Sequence, residues 1–94
     1  MPHYVILSKL TDEGRKTIKQ KPERISEVNK ELEAMNVKIK EQFVVLGPYD
    51  FVTVVEAPDN ETIMKASVEI GARGSVKLLT LPAITIDHFV KKVK

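Results

Sequence analysis

The chain has 94 residues and no cysteine. That is the length of one domain, and it excludes disulfide scaffolds and cysteine-based metal or redox sites. Fifteen Lys and Arg against 13 Asp and Glu leave a formal charge of +2, too small an excess to build a nucleic-acid surface. Hydrophobic residues make up 43% and charged residues 30%, the balance of a folded globule rather than a disordered segment.

The segment from His3 to Lys9 is rich in β-branched and aromatic residues and reads as a first strand. Its apolar run, Tyr4 to Leu7, is too short for a signal-peptide core. No stretch reaches the ~20 apolar residues of a membrane helix, so a cytoplasmic protein is expected. Thr11 and Asp12 offer a cap for a short helix through Ile18. Pro22 suits the first position of a second helix running to about Met35. On it Ile25, Val28, Leu32 and Met35 form one apolar stripe, with Glu23, Lys30, Glu31 and Glu33 towards water. Asn36 suits a left-handed C-terminal position.

Residues 37–46 alternate, which predicts a strand with Val37, Ile39, Glu41, Phe43 and Val45 on one face. Its polar start suggests an end that projects, with burial increasing towards Leu46. Gly47-Pro48-Tyr49-Asp50 then reads as a turn, and Phe51 to Ala57 as the returning strand of an antiparallel hairpin. Asp59 can cap a helix from Asn60 to about Arg73, with Ile63, Ala66 and Ile70 as its central stripe, widened by Met64 and Val68. Gly74 sits where a helix-ending glycine belongs. Val76 to Leu81 is a fourth strand ended by Pro82, and Thr85 caps a last short helix.

The order is β-α-β-β-α-β with an added C-terminal helix: an α+β, ferredoxin-like single domain. A four-stranded antiparallel sheet would carry two main helices on one face. The other face should then be polar in a monomer. Here Val5, Leu7, Val52, Val54, Leu79 and Leu81 oppose residues that are equally apolar. An uncovered apolar sheet face is an association surface. A homodimer or larger oligomer, packed sheet on sheet, is expected.

Several short motifs occur in one order: Leu10-Thr11-Asp12-Glu13-Gly14, Pro22-Glu23-Arg24, Gly47-Pro48-Tyr49-Asp50, Val55-Glu56-Ala57-Pro58-Asp59 and Thr80-Leu81-Pro82-Ala83. Together they resemble the GYD-domain family, whose name motif is matched by Gly47, Tyr49 and Asp50. The resemblance implies the dimeric α/β barrel superfamily. Lys21 and Pro82 depart from the family pattern, which often has a serine and an arginine there. The superfamily holds monooxygenases, isomerases, haem enzymes and amino-acid-sensing domains, so the fold alone does not choose a chemistry.

Four residues are candidates for chemistry. Tyr49 and Asp50 would serve as acid and base at a pocket lip, or simply as turn residues. Glu56 is a carboxylate in an apolar strand, which requires a strand end, a partner such as Lys38, Lys40 or Lys77, or a function. His3 precedes the first strand and could join Glu56 or Tyr49. The second histidine, His88, has no spacing with His3 that suits a metal. Arg15, Arg24 and Arg73 read as solvated surface, although arginine forks carboxylates well. Neither phosphate-loop nor nucleophile-elbow patterns occur. The sheet lacks the stacking aromatics of an RNA-recognition module. The expectation is a homo-oligomeric module that binds a small molecule or regulates, without cofactor, metal, nucleic acid or membrane. A small cofactor-independent enzyme of monooxygenase or isomerase type is the alternative.

Overall fold

The computed structural model covers residues 1–94. Its elements are β1 (His3–Leu10), α1 (Asp12–Gln20), α2 (Arg24–Ala34), β2 (Lys38–Val44), β3 (Phe51–Glu56), α3 (Asn60–Gly71), β4 (Val76–Ala83) and α4 (Ile86–Val93). The four strands form one antiparallel sheet in the order β2-β3-β1-β4. The fold is thus the expected ferredoxin-like α+β arrangement. No helix is long and apolar enough to cross a membrane.

Local chemistry explains most boundaries. The Thr11 hydroxyl accepts the Gly14 amide and donates to the Gly74 carbonyl, which starts α1 and ties it to the turn before β4. The approach is so close that a Cβ on Gly14 would collide with the Ser75 carbonyl oxygen. Only glycine fits there. Asp59 caps α3 through the Thr62 amide, and Thr85 caps α4 through the His88 amide. Asn36 adopts φ 67° and Gly74 φ 77°, the left-handed residues that end helices.

Three boundaries differ from expectation. Pro22 lies in the turn ahead of α2, where its carbonyl accepts the Ile25 amide, rather than inside the helix. β4 continues through Pro82 to Ala83; it is an edge strand, so the missing proline N–H breaks no ladder. The alternation in β2 is broken by a β-bulge. Ile39 pairs with Val55, but Glu41 pairs with Val54, and Lys40 is the extra residue between them. Val37 and Ile39 therefore face the helices, while Glu41 and Phe43 face the opposite side.

The core lies between the sheet and the helices: Tyr4, Ile6, Val37, Val55, Ala57, Ile63 and Ala66. Tyr4 is sealed in by a 2.6 Å hydrogen bond from its hydroxyl to the Asn60 side chain. Only 11 of 94 residues are buried, and α2 buries none of its own. The hairpin end is the reverse of the expectation, since Phe43, Val44 and Leu46 are exposed, Leu46 fully. Met64 and Val68 also lie outside the α3 stripe, exposed.

Every residue of α4 is exposed, including Ile86, Phe89, Val90 and Val93, which share one helical face by their spacing. The chain spans 49 × 28 × 18 Å with a radius of gyration of 14.0 Å, against about 12 Å for a compact chain of this length.

Candidate functional site

The open face of the sheet carries the first cluster. His3 and Glu56 are direct partners across β1 and β3, and their side chains meet at 3.5 Å. The Lys40 ammonium reaches the other carboxylate oxygen at 3.5 Å. It gets there because the bulge adds a residue opposite this point. Partial desolvation raises the Glu56 pKa, but Lys40, His3 and the N-terminal ammonium outweigh it and hold the carboxyl below its ordinary 4.5. Glu56 is therefore ionised at neutral pH. It can accept a hydrogen bond or hold a cation, and it is poorly placed to donate a proton. No three His, Asp or Glu side chains come together as a metal site would need.

Tyr49 and Asp50 lie at the other end of the sheet. The Asp50 carboxylate accepts the Leu10 amide at 2.8 Å. Its own amide donates to the Ser8 carbonyl, and its carbonyl accepts the Val45 amide. Asp50 thus closes the hairpin and locks it to the end of β1. Gly47, at φ 117°, makes the bend possible. Six positions of β3 separate Asp50 from Glu56, about 20 Å of extended chain. The four candidates form one pair and two turn residues rather than one constellation.

Sequence reasoning missed the second site. Between the sheet and α1, α2 and α3 lies a cavity of about 140 Å³. Ile18, Ile25, Val28, Ile63, Ala66 and Ile70 wall it. Its floor carries polar side chains: Ser8 and Thr53, both buried, and Gln42. The Asn29 amide donates to the Gln42 carbonyl oxygen at 2.7 Å. The Gln42 amide donates back to Asn29 and also to the Thr53 hydroxyl. At the rim, Arg24 and Arg73 both bind Glu31, and Arg24 also binds Glu27, which Lys21 holds from outside. The Arg73 hydrogen bond, opposed by partial desolvation and joined by Arg24, keeps the Glu31 carboxyl below 4.5. Arg24, Arg73 and Glu31 are therefore half-buried and paired, where the sequence suggested solvated residues. Only Arg15, beside Asp12, is plain surface. The available signal was Thr53, a polar residue within the apolar strand β3, with Gln42 directly across from it on β2.

The chain is thus a ferredoxin-like domain with a polar-floored cavity on one sheet face and an apolar surface on the other. The GYD domain sequence model matches residues 4–93, and the chain belongs to that family. It is 48% identical over 95 residues to a Thermus thermophilus protein named "Glutamine synthetase and cystathionine beta-lyase binding protein", covering 100% of both chains. Among solved structures it resembles a hypothetical protein of Pyrococcus horikoshii, at 26% identity and a TM-score of 0.58, covering 94% of this chain and 95% of that one. It also resembles MtbAldR, at 20% identity and a TM-score of 0.68, covering 89% of this chain and 52% of that one. That last likeness is one of fold.

Proposed function

We propose that the protein is a homo-oligomeric regulatory module that docks onto enzymes of amino-acid metabolism. The observation that carries this reading is the full-length 48% identity to a protein named for binding two such enzymes. The surface supports it. Leu79 and Leu81 are more than 40% exposed on the open sheet face, beside Val5, Leu7, Val52 and Val54 in register. A second copy laid sheet on sheet would cover them, giving the dimeric barrel. The α4 stripe and the exposed hairpin end lie at opposite ends of the sheet, so a two-fold axis running across the strands would bring each within reach of the other. Met64 and Val68 on the outside of α3 stay free for a different protein.

The enzyme alternative has less support. Of its four candidate groups, only His3 and Glu56 touch, and neither lines the cavity.

The test is light scattering at micromolar concentration, followed by co-elution with glutamine synthetase and cystathionine beta-lyase from the same organism. A dimer or larger assembly that carries one of the enzymes supports the reading. A monomer overturns the assembly, and failure to retain either enzyme overturns the partner class.

A further inference from the structure

The cavity under α2 is a site of its own, independent of the docking reading. An amphipathic helix normally closes its stripe on the sheet, because packed interiors tolerate few voids larger than a water. Here Ile25 and Val28 line the cavity instead, while Leu32 reaches the core. The volume, about 140 Å³, is close to the ~150 Å³ of an engineered apolar cavity that takes up benzene. An apolar body of roughly six carbons therefore fits.

The ends of the cavity differ chemically. On the floor, the Thr53 hydroxyl accepts a hydrogen bond from the Gln42 amide and keeps its own hydrogen to donate. Ser8 adds a second hydroxyl to the lining. At the rim, Arg24 is shared between Glu27 and Glu31, while Arg73 binds Glu31 alone. Arginine presents a planar fork of donors matched to carboxylates. Arg73 has no other carboxylate partner, so a second carboxylate arriving from the cavity side meets donors that Glu31 leaves free.

We infer that this cavity binds a small monocarboxylic acid, its apolar body between α2 and the sheet and its carboxylate on Arg73. Entry lies between the start of α2 and the end of α3, where both arginines stand.

The experiment uses the ¹⁵N-labelled full chain titrated with 4-methylpentanoate, and with 4-methylpentan-1-ol as the uncharged analogue. The acid should shift the backbone amides of Ser8 and Thr53 and the side-chain amides of Asn29 and Gln42. It should bind about tenfold more tightly than the alcohol, the worth of one charge-assisted pair. Arg73→Gln should erase that tenfold difference while alcohol binding persists, which also shows that the variant is folded. Ala66→Leu should fill the wall and abolish binding of both. Equal affinity for acid and alcohol in the wild type would overturn the carboxylate assignment. Shifts confined to exposed residues such as those of α4, or an Ala66→Leu variant that binds both probes normally, would overturn the site.

Discussion

Val54 and Val55 are neighbours in β3, and they face opposite fates. Val55 is completely buried under the helices; Val54 points to the open side with Val5 beside it. Each face also carries a minority of residues unlike its setting, beside the apolar core on one side and the cluster of His3, Glu56 and Lys40 on the other. The covered face holds Ser8, Thr53 and Gln42, while the uncovered face holds Leu79, Leu81 and Phe43. A sheet that needed only to fold alone would place the hydroxyls outside and the leucines inside. These exceptions keep some hydrogen-bonding capacity where water is scarce and some apolar area exposed.

Matched substitutions test that division most sharply. Val55→Asp should unfold the chain or cost about 3–5 kcal/mol, because an unpaired charge is left in the interior. Val54→Asp should leave the circular dichroism spectrum intact and, on the proposed assembly, abolish self-association in light scattering. Equal loss of fold in both variants would erase the distinction between the faces. Gly14→Ala comes next. Its methyl group collides with the Ser75 backbone oxygen, and backbone cannot rotate away, so about 1–3 kcal/mol should be lost in urea unfolding. A neutral result would mean that α1 is not pinned to the covered face as described. Tyr4→Phe removes one hydroxyl from the covered side and should cost about 1 kcal/mol, the net worth of its hydrogen bond to Asn60.

The smallest effect is that of pH. Glu27, held by Lys21 and Arg24, Glu31 and Glu56 all have lowered pKa values in the folded protein. Each binds a proton less readily folded than unfolded. Each therefore contributes stability above pH 4.5 that is lost as pH falls through the folded values. The urea midpoint should be flat between about pH 7 and 5 and decline below that, the decline being shallower in Glu56→Gln. A midpoint that rises on acidification would contradict these assignments.

The element order was legible because its signals are local. Thr11, Asp59 and Thr85 cap through amides three residues ahead, and Asn36 and Gly74 need only their own φ. The pairing of Glu56 with a lysine was also foreseeable, since opposite charges on adjacent strands meet. What escaped depends on distant neighbours. Met64 and Val68 widen an apolar stripe on paper but find no element beyond α3 to pack against. Glu31 looked solvent-facing because its partner Arg73 is more than forty positions away in the chain. The cavity is a property of how far α2 stands from the sheet, which no side-chain pattern records.

The bulge at Lys40 gives β2 two phases, one on each side of a single residue. Loss of that residue would join Ile39 directly to Glu41 and leave both segments on their present faces. Length can change here by one without a frame error, which is unusual inside a strand whose alternation sets the faces. The same deletion would strip Glu56 of its lysine. Position 40 is thus a point where inheritance can adjust the charge of the open face while the architecture stays constant, and comparison of strand lengths at this position would sort relatives by that charge.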